Sequence, residues 1–169
     1  VTSEALRKYP RESYYLATKY PGHTIQDSYD PSEVFEHQLE KCGVEYFDFY
    51  LVHAVSKKQH AHYTKTNAYE AARRLKEQGL IRHLGFSFHD TAEMLDKVLT
   101  EHPEVEFVQI QLNYLDYDSI SVQSRKCYEV ARKHGKDIIV MEPVKGGKLA
   151  NVPEKVEKIF KEVHHDWSP

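Results

Sequence analysis

Five short apolar runs recur along this chain at a nearly even interval, and each adjoins a stretch with the period of a helix. The runs are SYYLATKY, FDFYLVHAV, IRHLGFSFH, FVQIQLNY and DIIVMEP. Their C-terminal ends, taken at Lys19, His53, Ser87, Asn113 and Pro143, lie about 31 residues apart on average. Apolar residues within them are continuous instead of alternating, which predicts strands covered on both faces, as in a parallel sheet. Parallel neighbours need crossover connections, and the intervening segments read as the helices that make them.

The helix signals are local. TSEALRKYP reads as helical, with Ser or Thr as cap and Pro10 as its stop. In DPSEVFEHQLEKCG, Asp30 is a cap, Pro31 opens the first turn and Gly43 terminates. NAYEAARRLKEQG, TAEMLDKVLTEH, VQSRKCYEVARKHG and PEKVEKIFKEVHH continue the alternation. A (β/α)8 TIM barrel of about 250 residues allots ~31 residues to each unit, and the interval here agrees. With 169 residues the chain holds between five and six units. Either it is an incomplete barrel or it is an open five-stranded sheet, for which a flavodoxin-like order fits the length. The chain opens at Val1 inside a helix, without an initiator methionine, and stops at Pro169 just past another, which favours the incomplete barrel: one partial domain over residues 1–169.

Composition excludes several classes. Apolar residues make up 40% and charged residues 29%, too hydrophobic for a disordered chain. The formal net charge is −3 with both signs interspersed, which argues against nucleic-acid partners. No apolar run approaches the ~20 residues of a membrane helix, so no membrane is expected either. Two distant cysteines, Cys42 and Cys127, fit reduced thiols and a cytoplasmic location.

In parallel α/β folds a ligand sits beyond the carboxyl ends of the strands, so polar residues there are candidates for chemistry. This chain has them at every strand: Lys19, His53, Ser87 with His89, Gln109 with Asn113, and Glu142 with the VKGGK loop. Taken singly, His53 reads first as a core imidazole bonded to a backbone carbonyl, and only the other four motifs in register reverse that preference. The pair His60 and His62 in KKQHAHYTK lacks a third ligand and reads as a loop, so no metal is expected. Glu70, Arg73, Arg74 and Lys76 read as a solvated helix face, and His164, His165 and Asp166 as a fraying end.

YLATK, FDFYLVHA, IRHLGFSFHD, FVQIQLNYLD and IIVMEPVKGGKLA, in this order and spacing, resemble the aldo-keto reductases, NAD(P)H-dependent carbonyl reductases built on a (β/α)8 barrel. The resemblance covers nearly the whole chain, and the SFHD and MEPVKGGKL variants are most similar to a bacterial branch whose members often add a C-terminal iron–sulfur segment. It implies strands three to seven of the barrel, NADPH or NADH as cofactor, and an aldehyde or ketone as substrate. By the same resemblance Lys19 matches the lysine of the family's Asp-Tyr-Lys-His tetrad and His53 its histidine. An ammonium beside a phenol favours the phenolate, and an imidazole bonded to a carbonyl oxygen polarises it as negative charge develops. Ser87 and Gln109 match contacts to the nicotinamide carboxamide. Met141 stands where many members place a tyrosine that stacks on the ring. Pro143, Val144, Lys145, Gly146 and Gly147 form the loop in which glycines let backbone approach a pyrophosphate and lysine neutralises it.

The chain departs from the family in places. Many members carry Asn after the serine, where this chain has Phe88; His89 could take that role. The tetrad's aspartate and tyrosine have no match, because the family segment holding them would precede TSEALRKYP; Tyr14 and Tyr15, read as inside the first strand, are poor substitutes. The eighth strand, which reads the adenosine phosphate, would lie past Pro169. These readings imply that the chain alone is inactive and that its two open sheet edges promote self-association. The competing readings are a stand-alone five-stranded open α/β binding module, or an interaction subunit, since some relatives act as channel-associated subunits.

Overall fold

Asp30 opens a helix as its sequence predicts. Its carboxylate accepts from the Ser32 N–H at 2.8 Å, Pro31 takes the first turn, and Gly43 closes the helix at φ 65° with its N–H on the Leu39 and Glu40 carbonyls. The same local rules build the rest of a computed structural model that describes residues 2–22 and 30–167. In chain order the elements are α1 (Thr2–Leu6), β1 (Ala17–Tyr20), α2 (Pro31–Cys42), β2 (Phe47–Val55), α3 (Lys57–Lys65), α4 (Ala68–Glu77), β3 (Ile81–Phe88), α5 (Ala92–Glu101), β4 (Phe107–Gln111), α6 (Ser124–Lys133), β5 (Asp137–Met141) and α7 (Glu154–Val163). A 3-10 turn at Arg11–Ser13 separates α1 from β1.

The five strands are all parallel and stand in the order β1-β2-β3-β4-β5. A flavodoxin-like sheet would reverse direction at a switch point; here each strand adds beside its predecessor, as in a barrel wall. The register sorts side chains by face. Thr18 pairs with Tyr50 and Tyr50 with Leu84, while Tyr20 pairs with Val52, Val52 with Phe86 and Phe86 with Val108, which puts these residues on one face. That face meets the helices, and Tyr20, Tyr50, Val52, Leu84, Phe86, Val108 and Ile110 are all buried in one core with Phe35, Tyr63, Leu95 and Leu99.

The opposite face begins with aromatic packing. Phe49 stacks on His83 with ring centroids 5.1 Å apart and meets Phe107 edge-on at 5.6 Å. Gly85 makes room for Phe107, because a Cβ there would lie 2.4 Å from its ring. Farther along the same face come Lys19, Leu51, Ser87, Gln109 and Met141.

Three sequence expectations need correction. Tyr14 and Tyr15 lie between the 3-10 turn and β1 and not inside the strand; Tyr14 is extended as the cap of that turn and Tyr15 is exposed. KKQHAHYTK is helix α3 and no loop: the Ser56 side chain caps it, and His60 and Tyr63, three residues apart, are both buried. Its apolar face consists of an imidazole and a phenol, which a search for aliphatic periodicity does not see. Finally, continuous apolar strands predicted cover on both faces, yet β5 is open, with Val140 43% exposed, because it is an edge strand.

Candidate active site at the carboxyl ends of the strands

β2 does not end at His53. The ladder with β3 shifts register between Val52 and Val55, and Ala54 takes φ 52°, so His53 sits at an irregularity that re-aims the chain. Three hydrogen bonds fasten this bend. The Tyr63 hydroxyl of α3 donates to the His53 carbonyl at 2.5 Å, the Ala54 N–H donates to Ser87 Oγ at 2.8 Å, and the His89 N–H donates to the Val55 carbonyl at 3.0 Å. A left-handed alanine is strained, and these bonds from two neighbouring elements hold it there. The half-buried His53 side chain is thereby mounted on fixed backbone.

Lys19 reaches across the concave face. Its Nζ donates to Gln109 Oε1 at 2.6 Å, joining residues 90 positions apart. On a flat sheet β1 and β4 would stand ~14 Å apart, three interstrand steps, farther than these two side chains can bridge. The contact therefore requires the sheet to curl, as a barrel wall does. Burial lowers the Lys19 pKa. The backbone of Lys19 is fixed as well, because Gln38 Nε2 of α2 donates to its carbonyl at 2.8 Å. His89, exposed at the rim yet partly desolvated, has its pKa lowered first by that desolvation and then by the charge of Lys19, against an opposing pull from Glu142.

Ser87 is fully buried, and its Oγ is occupied as an acceptor by Ala54, leaving its own proton to donate. Gln109 Oε1 receives Lys19, leaving Nε2 as a donor. Groups of this kind, one hydroxyl and one amide donor, are what a carboxamide ligand requires. Met141, half-buried, lies on the same face opposite Gln111 of β4.

The loop after β5 is arranged differently. Pro143 and Val144 are exposed, and Lys145, Gly146 and Gly147 all take positive φ. The glycine Cβ positions face open space, which fits a close approach of a ligand to backbone. Several of its N–H groups are spent on turns, however: Lys145 on Glu142, Gly147 on Val144, and Lys148 on Lys145. Lys145 Nζ is bonded to both carboxylate oxygens of Asp116 at 2.5 and 2.6 Å, and so faces that carboxylate and not the rim.

Asp116 escaped the sequence reading. It is 6% exposed and accepts from Lys145, Gln111 and Asn113, while its own N–H donates to Asn113 Oδ1. These bonds, Lys145 foremost, hold its carboxyl below the usual range. The cluster pins the loop after β4 to the loop after β5. Its only sequence signal is the polar run NYLD directly after a strand.

Comparison with known proteins places the chain. The sequence model of the aldo/keto reductase family matches residues 1–167. Over 80 residues the chain is 36% identical to methylglyoxal reductase DkgA of Yersinia pestis, covering 47% of this chain and 27% of that protein. Over 105 residues it is 30% identical to an aldo-keto reductase of Mycobacterium avium, covering 62% of this chain and 35% of that one. An aldo/keto reductase structure from Brucella melitensis superposes with a TM-score of 0.68 at 23% identity, covering 96% of this chain and 59% of its own; at that identity the likeness concerns fold alone. The chain thus spans about a quarter to a third of the curated relatives it matches. With the family sequence model running almost end to end and a curled, singly wound parallel sheet beneath it, the chain belongs to the aldo/keto reductase family.

Proposed function

We propose that this chain carries the lysine–histidine part and the nicotinamide contacts of an NAD(P)H-dependent site that reduces aldehydes or ketones. The observation that supports this best is the Lys19–Gln109 hydrogen bond, which gathers a cation and an amide at the carboxyl ends of the strands, on the face that also carries Ser87 and Met141. Bound there, a nicotinamide supplies the hydride. The Ser87 hydroxyl and Gln109 Nε2 would hold its carboxamide and so select which ring face meets the substrate, and Met141 would supply an apolar surface beside it. Lys19 places positive charge where a proton is given up, favouring the ionised form of a neighbouring phenol. His53 donates toward the substrate oxygen as negative charge develops on it, on backbone already held by Tyr63.

The pyrophosphate falls to the loop from Pro143 through Val144, Lys145, Gly146 and Gly147. For Lys145 to reach a phosphate it must leave Asp116, and a dianionic phosphate is the kind of partner that competes for it. Residues 1–169 act as one partial barrel domain. Isolated, these 169 residues reduce carbonyls weakly or not at all, since no residue here matches the family's proton-donating tyrosine. The free edges of β1 and β5 pair with other chains. Cys42 and Cys127 are free thiols, with burial pushing Cys127 up to about 11, which suits a reducing cytoplasm. Among the described residues no helix is long and apolar enough to cross a membrane.

The test is NADPH titration and steady-state carbonyl reduction in the protein as its gene encodes it, with Lys19→Met and His53→Ala. We expect kcat to fall about 10²–10⁴-fold in each while cofactor affinity stays within a few-fold. Unchanged kcat in either variant would sink the reading.

A further inference from the structure

The His60–His62 pair fails as a motif, because the helix sends the two rings in different directions. His60 faces inward, 5% exposed, and meets residues that lie far along the chain. Its Nε2 lies 2.7 Å from Glu101 Oε2 at the end of α5, and its Nδ1 lies 3.0 Å from the Tyr69 hydroxyl of α4. His102, the residue that ends α5, stacks on Tyr69 with ring centroids 3.7 Å apart. Its Nδ1 lies 3.1 Å from Glu104 Oε1.

We propose that His60, Glu101 and His102 form a binding site for a divalent transition cation of the Zn2+ class, on the helix side of the sheet. One ligand atom from each of the three lies within 4.8 Å of the other two. Two imidazoles and a carboxylate are the ligand set that zinc takes at ~2.0–2.2 Å with a fourth position for water. Coordination through Nε2 of both rings preserves both Nδ1 bonds, one to a phenol and one to a carboxylate. Such outer partners orient metal-binding imidazoles and fix their tautomer. With a metal on Nε2, the neutral ring of His60 carries its proton on Nδ1 and donates it to the Tyr69 oxygen.

Access and room are present. An open recess between α3 and α5 has His60, Thr64, Met94 and Glu101 in its walls. The His60–Glu101 hydrogen bond must open to admit a cation, and the Glu101 side chain, 45% exposed at a helix end, can move. Lys97 Nζ lies 3.8 Å from the other Glu101 oxygen and opposes a cation, but its side chain is mostly exposed and swings clear. A bound ion would tie α3 to α5, which makes the site a structural clamp.

The experiment is isothermal titration of the chelator-stripped full chain with ZnCl2, repeated with Co2+ for its visible absorption and with thermal melts in each case. We expect one tight site per chain, a tetrahedral Co2+ spectrum and a raised melting temperature. Glu101→Gln, at a half-exposed side chain, and His102→Ala, whose ring is 18% exposed and stacked on Tyr69, should each weaken binding at least ~10-fold, with the circular dichroism spectrum unchanged in Glu101→Gln. Tyr69→Phe, which removes an outer partner, should weaken it by about 10-fold. His62→Ala and the double change His164→Ala with His165→Ala should leave the tight site intact. Absence of tight binding, its persistence in Glu101→Gln with His102→Ala, or its loss on changing His164 and His165 would overturn the proposal.

Discussion

Each end of the sheet carries a charged group in a restricted setting, and the two are treated differently. At the amino ends Asp48 is 1% exposed and surrounded by donors: the Leu16 N–H at 2.8 Å, Arg11 Nη2 at 2.7 Å, and Arg82 Nη1 at 3.3 Å. Both guanidiniums also lie over the Tyr46 ring, at 3.9 and 4.3 Å. Burial acts to raise the Asp48 pKa, but these donors outweigh it and the pKa is lowered. At the carboxyl ends Lys19 is half-buried and bonded to a neutral amide, and burial lowers its pKa. One charge is fully neutralised by its surroundings, whereas the other is held in place by a dipole. Removing one partner from the first setting strands a buried charge, whereas removing Lys19 strands only an amide oxygen.

The comparison can be broken by exchanging the effects. Asp48→Ala leaves Arg11 with an uncompensated charge in a half-buried setting and should cost about 3–5 kcal/mol in urea unfolding, with cofactor affinity unchanged in whatever protein remains folded. Lys19→Met should do the reverse, moving stability by less than ~1 kcal/mol while lowering carbonyl reduction. A Lys19 variant that unfolds the protein as Asp48→Ala does would erase the distinction between the ends.

Midway along the same concave face, Gly85→Ala drives a methyl into the Phe107 ring and should cost about 1–3 kcal/mol, read from the midpoint of a thermal melt. Ser87→Ala should cost ~1–2 kcal/mol by leaving the Ala54 N–H without its acceptor. It should also loosen the bend that mounts His53, seen as faster amide exchange at residues 53–55 than in Gly85→Ala.

The smallest effect sharpens the comparison by pH. Asp48 and Asp116 have folded pKa values below their unfolded ones, so their stability is fully present above about pH 4 and is lost as pH falls through the lowered folded values. Lys19 has the same sign of linkage in a different range: its pKa is lowered because burial disfavours its charged form, so it detracts from stability at neutral pH and that cost is relieved only as pH rises through the alkaline range. Asp48→Asn should therefore flatten the acid limb of a stability–pH curve, and Lys19→Met should leave that limb unchanged.

Much of this fold could be read from local chemistry. Asp30, Pro31 and Gly43 delimit α2 because capping and left-handed φ are decided within a few residues. The runs around Tyr50, Phe86 and Val108 read as strands because burial on the helix side demands apolar side chains. The periodicity of α3 is hidden because its buried face is His60 and Tyr63, whose polar atoms meet Tyr69, Glu101 and the His53 carbonyl, none of them a neighbour within one helical turn. The pairing of Asp116 with Lys145 was missed for the same reason: 29 residues separate the ion from its counter-ion.

By itself, the order of apolar runs and helix caps determined that this chain builds a parallel α/β sheet, and the quoted motifs identified its family. Only the tertiary structure decided that the strands add in sequence without reversal, that the sheet curls until Lys19 touches Gln109, and that His53 stands on a bend and not at a strand end. The physical reason is range. Capping, turn chemistry and hydrophobic period act over one helical turn or a few strand residues, whereas curvature and the pairing of charges depend on partners separated by most of the chain.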